Sequence, residues 1–247
     1  MARKRRLFDP GSNTLFPLSR SKLDLYLNCP RCFYLDRRLG IGRPSGPPFT
    51  LNNAVDQLLK NEFDEYRAKG EPHPLLLEAG IAAVPAQHPD LDTWRQNFKG
   101  VRVPHAASGF EVFGAIDDLW MDTNTREFIV ADYKATAKDA EVSLDADWQI
   151  AYKRQMEVYQ WLLASLGLPV SKRSWFVYCN GMKSEPRFDS TLRFKIKLIP
   201  YDGDTAWVEP KLIDARRCLE ADTAPAPAVD CEWCEYVANA GWLTADE

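Results

Sequence analysis

Residues Gly114 to Lys134 constrain this chain more than any other stretch. They read Gly-Ala-Ile-Asp-Asp-Leu-Trp-Met, then a polar turn, then Glu-Phe-Ile-Val-Ala-Asp-Tyr-Lys. Two strand-like runs, Glu111 to Met121 and Arg126 to Lys134, are set to face each other across the turn as a hairpin. Asp117 and Asp118 lie on the first run and Asp132 on the second, with Lys134 two residues further on. Successive strand side chains point to opposite faces, so Asp132 and Lys134 share a face. By the same rule only one of Asp117 and Asp118 joins them, unless a bulge intervenes. Ile129, Val130 and Ala131 make the approach to Asp132 apolar and put that acid at the end of a buried strand.

Two carboxylates and a lysine on adjacent strands have a specific chemical use. Mg2+ or Mn2+ takes hard oxygen ligands, commonly one or two protein carboxylates completed by water and substrate phosphate. Asp117 and Asp132 supply two such oxygens, and the main-chain carbonyl of Tyr133 offers a third. The Lys134 ammonium would then stand beside the ion, where it can hold a water or neutralise a phosphate. Metal-assisted hydrolysis of a phosphodiester uses these parts. Gly114 precedes the first aspartate, where close backbone approach is useful. An Asp-x-Lys triplet alone equally describes a solvent-facing salt bridge of little worth.

The rest of the chain bounds the reading. With 247 residues and 45% hydrophobic content, one sizeable core is expected. The net charge of −4 provides no global field for nucleic acid, so contact would rest on local basic rows such as Arg193, Lys195 and Lys197. The longest apolar candidate, Trp161 to Val170, falls short of the roughly 20 residues that span a bilayer. The basic start has no apolar run behind it and does not read as a secretory signal, so no membrane association and a cytoplasmic location are expected. In that compartment the paired spacings Cys29-x-x-Cys32 and Cys231-x-x-Cys234 point to metal rather than disulfides.

Residues 1–18 read as a flexible basic arm, and 19–247 as a single domain with a cysteine pair near each end. Ser19 to Leu39 is expected as a capped helix broken at Pro30. Leu51 to Tyr66 follows helical periodicity, and short helices are expected at Leu75–Leu77 and Trp94–Phe98. Further on come a helix over Trp148–Leu166, strands over Ser174–Cys179 and Leu192–Leu198, and a helix over Asp204–Glu220. The order predicts an α/β fold, a mixed central sheet flanked by helices.

In order along the chain, these motifs resemble the PD-(D/E)XK nuclease superfamily, in its RecB-like branch that includes CRISPR-associated exonucleases. The opening Ser-x-Ser-x-Leu-x-x-Tyr-x-x-Cys-Pro-Arg-x-Phe-Tyr, Gly114-x-x-Asp117, Asp132-Tyr133-Lys134 with Thr136, Gln155-x-x-x-Tyr159 and the C-terminal cysteines carry the likeness across residues 19–234. The resemblance selects Asp117 over Asp118 and adds Gln155 and Tyr159, one helical turn apart, to the site. It implies a restriction-endonuclease-like core and a Mg2+- or Mn2+-dependent deoxyribonuclease. Such an enzyme would act as an exonuclease on single strands or ends in DNA repair, recombination or defence. DNA is the implied partner, with a helicase or other recombination or defence protein beside it. It also implies a [4Fe–4S] cluster.

Two departures from the pattern bear on function. Asp56 stands where the branch carries histidine, so the third metal-site acid is unusual and a non-catalytic binding module of the same fold is the alternative. Cysteines 29, 32, 231 and 234 are paired two and two, a set that suits either the cluster or Zn2+, since both accept four thiolates. Either would clasp the N- and C-terminal segments.

Overall fold

The computed structural model describes residues 6–46 and 50–244, with the side chains of 242–244 outside that description. Its fold is mixed α/β and groups into two compact units where the sequence suggested one. One unit takes the described parts of Met1–Pro47, Pro104–Val112 and Ala206–Glu247; the other takes those of Pro48–Val103 and Phe113–Thr205.

In the unit that contains both chain ends, strand β1 (Phe16–Ser19) leads into helix α1 (Arg20–Asn28) and helix α2 (Pro30–Arg38). The Ser19 hydroxyl caps α1 by accepting from the Lys22 N–H at 3.3 Å. Pro30 occupies the first turn of α2, where its missing N–H costs nothing. It also forces Cys29 to be extended (φ −161°, ψ 105°), so the two helices are separate, as the sequence predicted. Helices α7 (Val208–Glu220) and α8 (Glu232–Thr244) complete the unit. The flexible arm expected over 1–18 needs correction from Arg6 onward, residues 1–5 lying outside the described residues. Phe8 and Phe16 are buried with their rings 5.4 Å apart, and the Phe8 N–H donates to the Arg37 carbonyl. Burying two phenylalanines outweighs the entropy the arm would keep.

The other unit is built on a five-stranded mixed sheet of order β2-β5-β6-β7-β8, formed by Ala83–Pro85, Asp118–Asp122, Phe128–Thr136, Arg173–Gly181 and Phe194–Asp202. Only β6 and β7 run parallel; the other pairs are antiparallel. The first six residues of β6 are all buried, as a strand covered on both faces requires. Helix α3 (Thr50–Lys69) packs Leu59 and Phe63 against Ala131 and Tyr133 on one face, with the Phe63 ring stacked 5.5 Å from Trp120. Helix α6 (Ile150–Ser165) serves the opposite face, and its residues Met156 to Leu163 are buried in succession. The short helices are α4 (Pro74–Glu78) and α5 (Leu91–Trp94), the latter three residues earlier than expected. Strand β8 is an edge strand that starts at Phe194; Phe194 and Leu198 of the expected apolar face pack against the core, while Ile196 between them is 37% exposed.

A smaller sheet has order β1-β4-β3, with β3 formed by Val101–His105 and β4 by Phe110–Gly114. The single first run expected over Glu111–Met121 is therefore two strands, β4 and β5, in different sheets. The break at Ala115–Asp117 frees Asp117 from strand alternation.

Candidate active site

Strand β6 positions the centre of the site. Its alternation turns Ala131 and Tyr133 into the core beneath α3 and turns Asp132 and Lys134 toward α6. Asp132 is fully buried. Its Oδ1 accepts from Gln155 Nε2 at 2.7 Å, and its Oδ2 is ion-paired with Lys134 Nζ. The same Gln155 amide donates to the Tyr159 hydroxyl at 3.1 Å, so the two residues that the resemblance implied form one chain of hydrogen bonds ending on the acid. Lys134 Nζ also lies 4.7 Å from the centre of the Tyr152 ring, a favourable cation–π arrangement.

Asp117 and Asp118, inseparable by composition, have different environments. Asp117 sits in the gap before β5 and is partly exposed; its Oδ2 accepts the Tyr133 N–H at 3.0 Å. Within a strand a residue's N–H and C=O leave by the same edge. The Tyr133 carbonyl therefore shares the edge on which Asp117 stands. Asp118 has no exposed surface and serves as a structural hub. Its Oδ1 is ion-paired with both Arg67 and Arg95 and accepts the Leu119 N–H at 2.8 Å, while its Oδ2 accepts from Tyr133 OH at 2.7 Å and Trp120 Nε1 at 3.2 Å. A carboxylate so occupied has no lone pair left for an ion, whereas the Asp117 side chain is partly exposed.

Asp56, on α3, is half-buried and stands close enough to Asp117 and Lys134 to feel both charges. Burial and then Asp117 raise its pKa, opposed by Lys60 and Lys134. Its Oδ2 is held by Lys60 Nζ at 2.8 Å, and the same ammonium lies 3.7 Å from Asp117 Oδ1. Burial also pushes Asp132 up, to about 7, with Asp117 adding to it and Lys134 opposing. Lys134 moves up as well: burial disfavours its charge, but Asp132 and Asp117 outweigh that. It is therefore an ammonium at neutral pH and not a base. Asp117, Asp132 and the Tyr133 carbonyl make an all-oxygen donor set that fits Mg2+ or Mn2+. Beside them a cavity of about 550 Å³ is lined by Asn52, Thr136, Tyr152, Gly181 and Phe194.

Sequence reasoning missed Lys60, Arg67 and Arg95. The Asp56–Lys60 spacing of one helical turn was the available signal for the first; nothing local marks the two arginines. The basic row is weaker than expected, because Lys197 is taken by Glu141 at 2.6 Å on an exposed surface.

In the first unit, the four cysteines converge. Among the described residues they are the only group of three or more such side chains placed to share an ion. Cys32 Sγ lies 3.6 Å from Cys231 Sγ and 3.5 Å from Cys234 Sγ, and Cys29 Sγ lies 3.8 Å from Cys234 Sγ. All four sulfurs fall within 4.8 Å of one another. A tetrahedron with Zn–S bonds of 2.3 Å has edges of about 3.8 Å, which these separations match. Four thiolates also serve an iron–sulfur cubane, which binds each through a different iron, so the donor set suits either group. Cys29 caps α2 by accepting the Cys32 N–H; although burial pushes its thiol up, the N–H groups of Ala228 and Cys32 bring it down to about 6. Arg43 Nη2 donates to Cys231 Sγ at 3.3 Å. Cys179 is buried in the sheet core and Cys218 donates to the Pro30 carbonyl, both apart from this group.

A sequence model of the PD-(D/E)XK nuclease superfamily matches residues 17–238. No curated protein matches. Among solved structures, the crystal structure of SSO0001 is 16% identical with a TM-score of 0.44, the alignment covering 94% of this chain and 87% of that one.

Proposed function

This chain belongs to the PD-(D/E)XK nuclease superfamily, and from that membership we propose that it is a Mg2+- or Mn2+-dependent deoxyribonuclease acting on single strands or DNA ends. The observation that carries the reading is the junction of Asp117, Asp132, Lys134 and Gln155 around Tyr133 at the end of β6. Asp117, Asp132 and the Tyr133 carbonyl would hold the ion, with Asp56 behind Asp117. An ion there supplies Lewis-acid charge and lowers the pKa of a bound water. Lys134, kept as an ammonium, presents positive charge to the phosphoryl oxygens as the transition state gains negative charge. Gln155 fixes the Asp132 carboxylate, and Tyr159 fixes the Gln155 amide. The four cysteines would hold a [4Fe–4S] cluster or one Zn2+ as a structural clasp.

The test is cleavage of end-labelled single- and double-stranded DNA with Mg2+ or Mn2+. Wild type should cut, and Lys134→Ala should lose on the order of 10²–10³ in rate. Binding without turnover by the wild type would instead favour the non-catalytic module, and undiminished cutting by Lys134→Ala would remove the lysine from the mechanism.

A further inference from the structure

The acid cluster contains a lysine that the catalytic reading does not use. Lys60 lies one helical turn after Asp56, and its side chain is 14% exposed. Its ammonium bridges Asp56 at 2.8 Å and Asp117 at 3.7 Å. Asp117 is thereby engaged on both oxygens, Oδ1 toward Lys60 and Oδ2 toward the Tyr133 N–H. On the other side, Lys134 and Gln155 engage Asp132. Three carboxylates against two ammonium groups leave a single uncompensated negative charge. That is enough to favour one divalent ion and too little for a pair, because two adjacent dications repel strongly unless several carboxylates screen them.

We propose that Lys60 is a resident counter-cation that occupies the Asp56 side of the cluster and limits the site to one divalent ion, held at Asp117 and Asp132. Asp56 then serves as the anchor of Lys60 and acts on the ion only through it. Lys60 is a positioning residue: it orients Asp56 and biases Asp117 without touching the reacting atoms. The inference rests on the nuclease reading of this site.

The direct readout is Mn2+ binding without DNA, by electron paramagnetic resonance and calorimetry at pH 8. Zn2+ is supplied to saturate the cysteine site, and circular dichroism checks folding. Wild type should bind one Mn2+, and Asp132→Asn should lose it. Lys60→Met, which keeps the length of the side chain, should bind Mn2+ on the order of tenfold more tightly or gain a second ion. Because that variant leaves Asp56 uncompensated, the double variant Lys60→Met with Asp56→Asn is included; it restores the charge balance and should return to a single ion of near wild-type affinity. Lys60→Arg should resemble the wild type. If Lys60→Met binds as the wild type does, or if the double variant binds as tightly as Lys60→Met, the proposal is overturned. Absence of Mn2+ from wild type would count against the metal-nuclease reading itself, a separate outcome.

Discussion

Asp117 and Asp118 are neighbours with the same side chain, yet their substitutions should fail in opposite ways. Asp118→Ala takes from the guanidinium groups of Arg67 and Arg95 their buried shared carboxylate and leaves them only the more exposed Asp64. Breaking such a pair costs about 3–5 kcal/mol, so chemical denaturation should show a large loss of stability. Asp117→Ala removes a partly exposed acid at the site, and should leave the denaturation midpoint nearly unchanged while cleavage disappears. A second contrast concerns pH. Asp132 titrates near 7 in the folded chain because burial penalises its charge, against about 4 when unfolded. The folded state therefore binds the proton more tightly, and the stability this gives is present below pH 4 and lost as pH rises through 7. Thermal melts of metal-free protein should show Asp132→Asn gaining on wild type across that window, with the difference constant above it.

At the scale of elements, the loop that carries Asp117 is held by backbone rather than by side chains. Ile116 is buried and its N–H donates to the Trp94 carbonyl at 3.1 Å. Gly100, with φ +63°, lies so close to Gly114 that a Cβ would come within 2.6 Å of the Gly114 carbonyl carbon. Only glycine satisfies both the positive φ and the contact. Gly100→Ala should therefore cost about 1–3 kcal/mol of stability and lower cleavage as well, since Gly114 leads directly into Asp117. Parallel denaturation and rate measurements would separate these effects. The sequence pointed to Gly114 as the site of close approach; the residue that permits it is Gly100, remote in sequence and without any pattern to reveal it. Helix α6 shows the reverse case. Gln155 and Tyr159 came from the motif resemblance, and one helical turn necessarily places them on one face.

For the whole molecule, each unit carries its own chemistry: acids and lysines in one, the four thiolates in the other. No described helix is long and apolar enough to cross a membrane. If the thiolates hold one Zn2+, elemental analysis should return one zinc per chain in a colourless protein. Removing it with a strong chelator should lower the melting temperature, because metal affinity is folding free energy for the segments it joins. A brown protein with iron and acid-labile sulfide would assign the thiolates to a cluster instead.

Local order alone determined a good part of this. Period-two and period-3.6 patterns, the proline break at Cys29-Pro30 and the Ser19 cap dictate elements, because they depend on neighbours within a turn or a strand. The ordered motifs identified the superfamily, and with it Asp117, Asp132, Lys134, Gln155 and Tyr159. Tertiary structure alone decided which aspartate is buried among arginines and that the first run splits between two sheets. It decided as well that Lys60 enters the acid cluster and that the four sulfurs converge. Those are questions of which distant charges and atoms meet at 3–4 Å, and Coulomb energy and steric contact depend on that separation in space, not on separation along the chain.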